Sequence, residues 1–167
     1  MISNASPLIV AAKTGFLSDL LELYRAVEVS PRVYQEILAK GEPDAILLEA
    51  TVREGRIKVV SLTIKSLALA KKIKENYTLD LGEAETIALA IQLHRKELLM
   101  DEALGRKAAQ LFSITPRGTL RVLLELYKCK KITEEKLKIK VQEIIGNQFR
   151  LDAEVLARFW ELWEKMS

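Results

Sequence analysis

With 167 residues, 49% of them hydrophobic and 29% charged, and only 7 Gly and 4 Pro, the chain has the length and composition of one folded domain, and it falls outside the disordered, collagen-like and low-complexity classes. A single Cys129 and a single His94 exclude an internal disulfide and a zinc site assembled from several such ligands, so any chemistry has to rest on carboxylates, hydroxyls, Lys or Arg. The net charge of +3 is modest but uneven: Lys128 to Lys140 holds six Lys against Glu134 and Glu135 and leaves the rest of the chain slightly acidic.

Met1–Asn4 is expected to form the first strand. Ser6-Pro7 has the pattern of an N-cap followed by Pro at the first helical position, ahead of a short helix Leu8–Lys13 that Gly15 can close. Leu17–Tyr24 reads as a second helix and Val27–Val29 as a short strand. Ser30-Pro31 repeats the cap pattern before a helix Arg32–Lys40 ended by Gly41. Glu42–Glu54 reads as a helix stopped at Gly55, Ile57–Leu62 as a β-branched strand, and Ile64–Lys74 as another helix. Asp80-x-x-Glu83 is a capping box opening a helix from Leu81 to Arg95. Glu97–Met100 is a short strand, followed by Asp101 and a helix through Leu111. Phe112–Thr115 is expected as the last strand, with helices over Thr119–Tyr127, Thr133–Ile145 and Asp152–Met166.

Strands that alternate with helices favour an α/β fold with a parallel sheet flanked by helices. In such folds ligands bind at the C-terminal edge of the strands, near a topological switch point. Asn4 and Asp101 end two of the expected strands. Glu83 lies in the first turn of a helix, in line with Ile87, Ala90 and Ile91 near the apolar stripe, whereas Glu85 lines up with Gln92 and Lys96 on the polar face. A carboxylate turned towards the buried side wants a partner, a capping role or a cation. Glu36, between Val33 and Ile37, poses the same question. Two readings stand for these acids: a site, or a capping box beside a solvated residue.

The motifs carry a resemblance. Ser3-Asn4-Ala5-Ser6-Pro7-Leu8-Ile9 resembles the opening strand and helix of PIN domains, the nuclease fold that includes VapC-type toxins, in a prokaryotic, largely archaeal branch whose start reads Ser-Asn-x-Ser-Pro-Leu. Ser30 to Ile37 resembles the family's second acidic motif with Glu36 as the acid. Gly82-Glu83-Ala84-Glu85-Thr86-Ile87-Ala88-Leu89-Ala90 resembles the third, with Glu83 at the acidic position. Leu98-Leu99-Met100-Asp101-Glu102 resembles the fourth, and Thr115 to Thr119 the loop after the last core strand. The likeness spans about Met1 to Leu124 in the right order. It implies a three-layer α/β/α fold with a short, mostly parallel central sheet: a PIN-like core over 1–128 and a C-terminal helical extension over 129–167 packed on the same domain.

The resemblance also implies a divalent-metal-dependent ribonuclease of the toxin type, using Mg²⁺ or Mn²⁺, with RNA as substrate, a possible antitoxin protein and a homodimer. Such ions are hard and take oxygen ligands. Glu36, Glu83 and Asp101 would be ligands or water-positioning groups. Asn4 replaces the family's first acid and would offer a neutral carbonyl oxygen, with Ser6 orienting Asn4 or a water. Glu85, Glu102, Thr115 and Thr119 would support them. The loss of one carboxylate leaves a second reading open: a catalytically weak scaffold that binds RNA or a protein partner. Arg106, Lys107, Lys130 and Lys131 would contact the polyanion, or else are solvated helix residues. Trp160 and Trp163, in line with Leu156 and Phe159, belong either to the core or to a partner surface.

Other classes fail on the residues. There is no Gly-x-Gly, no Gly-Lys pair and no Gly-x-Ser-x-Gly, and His94 is placed mid-helix at the surface. A phospho-receiver domain needs acids after the first strand and an Asp after the third, and neither residues 2–6 nor Ser61-Leu62-Thr63 supplies one. The longest apolar runs, Leu8–Ala12 and Ile87–Ile91, are far short of the ~20 residues of a membrane span. No basic segment precedes an apolar one at the start, so a cytoplasmic setting without a secretory signal is expected.

Overall fold

The computed structural model describes residues 1–39, 43–147 and 153–165. The elements, in chain order, are β1 (Ile2–Ser3), α1 (Ala5–Lys13), α2 (Leu17–Tyr24), β2 (Val27–Val29), α3 (Pro31–Ala39), α4 (Asp44–Arg53), β3 (Ile57–Val59), α5 (Ile64–Tyr77), α6 (Leu81–Gln92), β4 (Glu97–Leu99), α7 (Ala103–Leu111), β5 (Thr115–Arg117), α8 (Thr119–Lys128), α9 (Glu134–Gly146) and α10 (Ala153–Glu164). The helix stop expected at Gly41, the start expected at Glu42 and the ends expected at Asp152 and Met166 lie outside the described residues.

The five strands form one wholly parallel sheet in the order β3-β2-β1-β4-β5. The chain winds outward from β1 to β2 and β3 on one side, then returns to pair β4 on the other. The switch point is therefore β1, and the crevice beside its C-terminal end opens at Asn4. Two apolar layers cover the sheet. One joins α1, α2, α3, α4 and α8 to Val27, Val29, Ile57 and Leu99, and the other joins α5, α6 and α7 to Ile2 and Leu98. Leu98 and Leu99 are both 0% exposed and belong to opposite layers, as the two-residue period of a strand requires.

Leu137, Val141 and Ile144 of α9 and Phe159 of α10 are buried in the first layer, and Trp160 and Trp163 are partly buried against it. The Phe159–Trp160 and Trp160–Trp163 rings meet edge to face at 4.9 and 5.6 Å, and Lys138 Nζ lies 4.9 Å from the Trp163 ring centre. The two tryptophans thus pack on the core. Among the described residues no helix is long and apolar enough to cross a membrane.

Three local expectations are corrected. The first helix begins at Ala5 with Asn4 as its N-cap, so Ser6-Pro7 falls inside it. The sixth helix ends at Gln92: Leu93 caps it and His94 takes φ +53°, so His94 is at the surface but not mid-helix. The last strand is Thr115–Arg117 rather than Phe112–Thr115. Phe112 caps α7, Ser113 turns at φ +59°, and pairing with β4 begins at Glu97↔Thr115.

Candidate active site

All the strand ends that matter face one edge. Asn4 follows β1, Ser30 follows β2 and leads into α3, Asp101 and Glu102 follow β4, and Gly118-Thr119 follows β5. Ser30 caps α3 by accepting from Val33 N at 3.1 Å, with Pro31 at the first helical position, and this fixes the helix that carries Glu36. The capping box on α6 is complete: Asp80 Oδ1 accepts from Glu83 N at 2.7 Å, and Glu83 Oε2 accepts from Asp80 N at 2.9 Å. That bond engages one Glu83 oxygen. The other, Oε1, lies beside Gly105 of α7, 3.1 Å from where a Cβ on that glycine would stand.

Glu83 is 5% exposed, and burial pushes its carboxyl up to about 7. The bond from Asp80 N opposes the shift, while the charges of Asp80, Glu102 and Glu36 reinforce it. Burial also raises Glu36, helped by the charges of Asp80 and Glu85 and opposed by Arg32, whose Nε donates to Glu36 Oε1 at 3.2 Å. Glu85 is 7% exposed. The expected polar face for it does not exist, because every residue of α6 from Gly82 to Ala90 is buried by α3, α5, α7 and the sheet. Both glutamates of the Gly-Glu-Ala-Glu run therefore contribute charge to the same region.

Asp101 is held differently. Its Oδ1 accepts from Thr119 N at 2.7 Å and its Oδ2 from Thr119 Oγ1 at 2.6 Å. Gly118, the N-cap of α8, has no side chain to cap with, so Asp101 performs that task from the end of the neighbouring strand β4. Burial raises its pKa against these two bonds, with Glu102 adding to the rise and Arg106 opposing it. Arg106 Nη1 donates to Met100 O at 3.1 Å rather than standing out towards solvent. A typical hydrogen bond contributes about 0.5–1.5 kcal/mol net, and leaving a buried donor such as Thr119 N–H unpaired costs about 1–3 kcal/mol. Asp101→Ala is accordingly expected to destabilise the protein by about 2–4 kcal/mol, and Asp101→Asn by less, because its amide oxygen can still accept from Thr119 N. Urea unfolding midpoints at pH 7 measure both, and equal losses would contradict the capping role.

Ser6 is corrected. Its Oγ donates to Glu102 Oε1, not to Asn4, and Asn4 Nδ2 donates to Glu102 Oε2 at 3.2 Å. Asn4 is 3% exposed and its Oδ1 has no hydrogen-bond partner among the described residues. Thr115 is not brought to this edge: it begins β5 opposite Glu97, at the other end of the strands from Asp101. Lys130 and Lys131 are also remote. The ten residues of α8 carry the chain about 15 Å from Thr119 before they begin. Lys131 there pairs with Glu22, and Lys128, Lys130 and Lys165 line a separate basic pocket with Tyr127 and Thr133. Lys107 is exposed on α7, one residue past Arg106.

Sequence reasoning missed three glycines. A Cβ at Gly82 would stand 2.5 and 2.6 Å from the two Glu36 oxygens, one at Gly105 would collide with Met100 Sδ and crowd Glu83, and one at Gly118 would meet Arg106 Nη1 at 2.8 Å and Asp101 Oδ1 at 3.1 Å. Each acid lies against a residue that has no side chain. The signal was present only as Gly next to or near an acidic motif, which by itself does not separate packing from backbone freedom.

Among the described residues, no three His, Cys, Asp or Glu side chains stand close enough together to hold a metal ion as placed. The residues nevertheless fit a hard divalent cation in donor chemistry and charge. All candidate donors are oxygens, and Glu36, Glu83 and Asp101 are all raised partly by each other or by Asp80, Glu85 and Glu102. Asn4 adds a buried carbonyl oxygen that has no partner among the described residues. A search of curated proteins finds no match. A family model, DUF3368, described as a PIN domain, matches residues 1–165. The wholly parallel five-stranded sheet agrees with this match over nearly the whole chain, and the chain belongs to the PIN-domain family.

Proposed function

We propose that this PIN domain is a divalent-metal-dependent ribonuclease that hydrolyses phosphodiester bonds in RNA, with Mg²⁺ or Mn²⁺ as the ion and Glu36, Glu83, Asp101 and Asn4 as the residues that would hold it. The observation that carries this reading is a set of acids at one edge of the sheet: Asp101 and Glu102 follow β4, Glu36 lies against Gly82 and Glu83 Oε1 beside Gly105, and the charges of Glu102 and Glu36 add to the rise that burial causes in Glu83. Carboxylates that oppose one another's ionisation at a strand edge are a pocket for positive charge. When held there, a divalent ion would neutralise charge building on a phosphoryl oxygen and make a water easier to deprotonate.

The chain's own groups set the rest. Asp80 N fixes one Glu83 oxygen and leaves Oε1 turned towards α7. Thr119 fixes both Asp101 oxygens, so this carboxylate is positioned before any substrate arrives. Arg106 on α7 places positive charge beside Asp101, where a phosphate backbone would otherwise be repelled, and the exposed Lys107 would add to it if it turns towards the same edge. If the enzyme is a toxin, its antitoxin would be a protein segment that covers this edge.

The second reading, a weakly catalytic scaffold that binds RNA or a protein, is favoured by Asn4 alone. One assay divides the two: cleavage of a labelled single-stranded RNA on addition of Mn²⁺ to chelator-treated protein, with Glu83→Gln and Asp101→Asn alongside. The nuclease reading expects ion-dependent cleavage that falls roughly a hundredfold or more in each variant. Equal cleavage in all three proteins would assign the activity to a contaminant or another site, and RNA binding without cleavage would leave the scaffold.

A further inference from the structure

Asn4 occupies the N-cap of α1, yet its side chain makes no capping bond. It is committed elsewhere. Its Nδ2 donates to Glu102 Oε2 at 3.2 Å while Ser6 Oγ donates to Glu102 Oε1, so the two oxygens of one carboxylate are held by two residues at the start of α1, 98 and 96 positions away in the chain. The amide orientation is fixed by this contact. Turned over, its carbonyl oxygen would face the Glu102 carboxylate, acceptor against acceptor. As it stands, Asn4 Oδ1 is buried beside that carboxylate without a partner among the described residues, a state that native structures rarely leave unexplained.

Glu102 is also inside the acidic cluster. Its charge acts on Glu83 from α6 and on Asp101, its neighbour in the chain. We infer that Glu102 supplies the carboxylate that Asn4 lacks: the Asn4 amide and Ser6 hydroxyl present it, next to the Asn4 carbonyl oxygen, as an anionic ligand for a divalent cation. The charge absent from the end of β1 is moved to the end of the adjacent strand β4 and tethered back by the residue that lost it. The pocket then keeps four acids, Glu36, Glu83, Asp101 and Glu102. This inference rests on the metal-dependent reading of the site.

The test is Mn²⁺ binding to the full chain, read by calorimetry and by the loss of the free-ion electron paramagnetic resonance signal, with circular dichroism as a folding control. Glu102→Gln keeps the side-chain length and an acceptor oxygen but removes the charge, and should weaken Mn²⁺ binding roughly 10- to 100-fold. Adding Asn4→Asp to it exchanges carboxylate and amide across the same hydrogen bond, and should recover most of the loss. Undiminished binding in Glu102→Gln overturns the inference, as does a double variant no tighter than the single one. Should Glu102→Gln not fold, paramagnetic broadening in the wild-type protein decides: the Glu102 carboxyl carbon should broaden at low Mn²⁺ together with that of Glu83, and a sharp Glu102 signal overturns the inference. Wild-type protein that binds no Mn²⁺ at millimolar concentration is a different failure, because it removes the metal-dependent reading itself.

Discussion

Glu83→Gln is expected to make the cation-free protein more stable at pH 8 while it abolishes cleavage. The Glu83 carboxyl is raised from 4.5 to about 7, with burial as the main cause. Between those values the folded state holds a proton that the unfolded chain releases. The stabilisation from that proton is fully present below about pH 4.5 and is lost as the pH rises through about 7. Above 7 the folded protein carries an ionised carboxylate among Asp80, Glu36 and Glu102. Each tenfold change in an acid's dissociation constant corresponds to ~1.4 kcal/mol before solvent screening, and screening together with the lost acid–dipole attraction at the start of α6 reduces the gain. A net stabilisation of about 1–2 kcal/mol at pH 8 follows, or roughly 2–8 °C in Tm for a chain of this size.

The variant keeps the capping geometry, since a glutamine oxygen can still accept from Asp80 N in place of Glu83 Oε2. The gain should shrink to nothing at pH 4, where the wild-type group is protonated in both states. Thermal melts of both proteins in chelator at pH 4, 6 and 8 measure it. A variant less stable than wild type at pH 8 would show that the Glu83 carboxylate is a structural cap and no more. A stabilised, inactive variant would show the opposite: this carboxylate is kept in an unfavourable place because its charge is used there.

Glu83 also shows how much of the site was legible. A capping box and a helical period are local patterns, and both located it before any tertiary structure was considered. Asp101 followed from its place at a strand end. Glu85 was misplaced because helical periodicity assigns a polar face only to a helix that has one, and α6 is enclosed on all sides through Ala90. The last strand slipped because Phe112 and Ile114 look like strand residues in isolation. The turn at Ser113 and the register on Glu97 are set by β4. The pairing of Ser6 with Glu102 crosses 96 residues, and no local rule reaches that far. For Lys130 and Lys131 charge leaves both a polyanion contact and a solvated face open, because it carries no direction, and the length of α8 takes them about 15 Å from Thr119. The order of strands and helices was thus readable from short-range chemistry, while the pairing of side chains across the edge was not.

Gly82→Ala should slow cleavage and leave the fold intact. Gly82 sits in the first turn of α6 with ordinary helical backbone, so no conformational penalty opposes alanine there, and helix propensity favours it by up to about 1 kcal/mol. The added methyl would stand 2.5 and 2.6 Å from the two Glu36 oxygens. Carbon cannot approach oxygen that closely, so one side must yield. The backbone of α6 is buried against α3, α5 and α7, whereas Glu36 is a long, partly exposed side chain, tied among the described residues by its i,i+4 pair with Arg32. Glu36 therefore swings away, which costs little stability because an exposed pair of this kind contributes about 0.3–0.5 kcal/mol. Misplacement of a reacting group by about 1 Å can lower a rate on the order of a hundredfold, so cleavage should fall by roughly ten- to a hundredfold, with Tm unchanged or slightly raised. If the methyl acts only through Glu36, Gly82→Ala combined with Glu36→Gln will be no slower than Glu36→Gln alone, because both changes remove the same carboxylate from the same pocket. Full activity in Gly82→Ala would mean that Glu36 works from a different rotamer or does not work at all. Independent, multiplying losses in the double variant would mean that the glycine opens space for something other than this side chain.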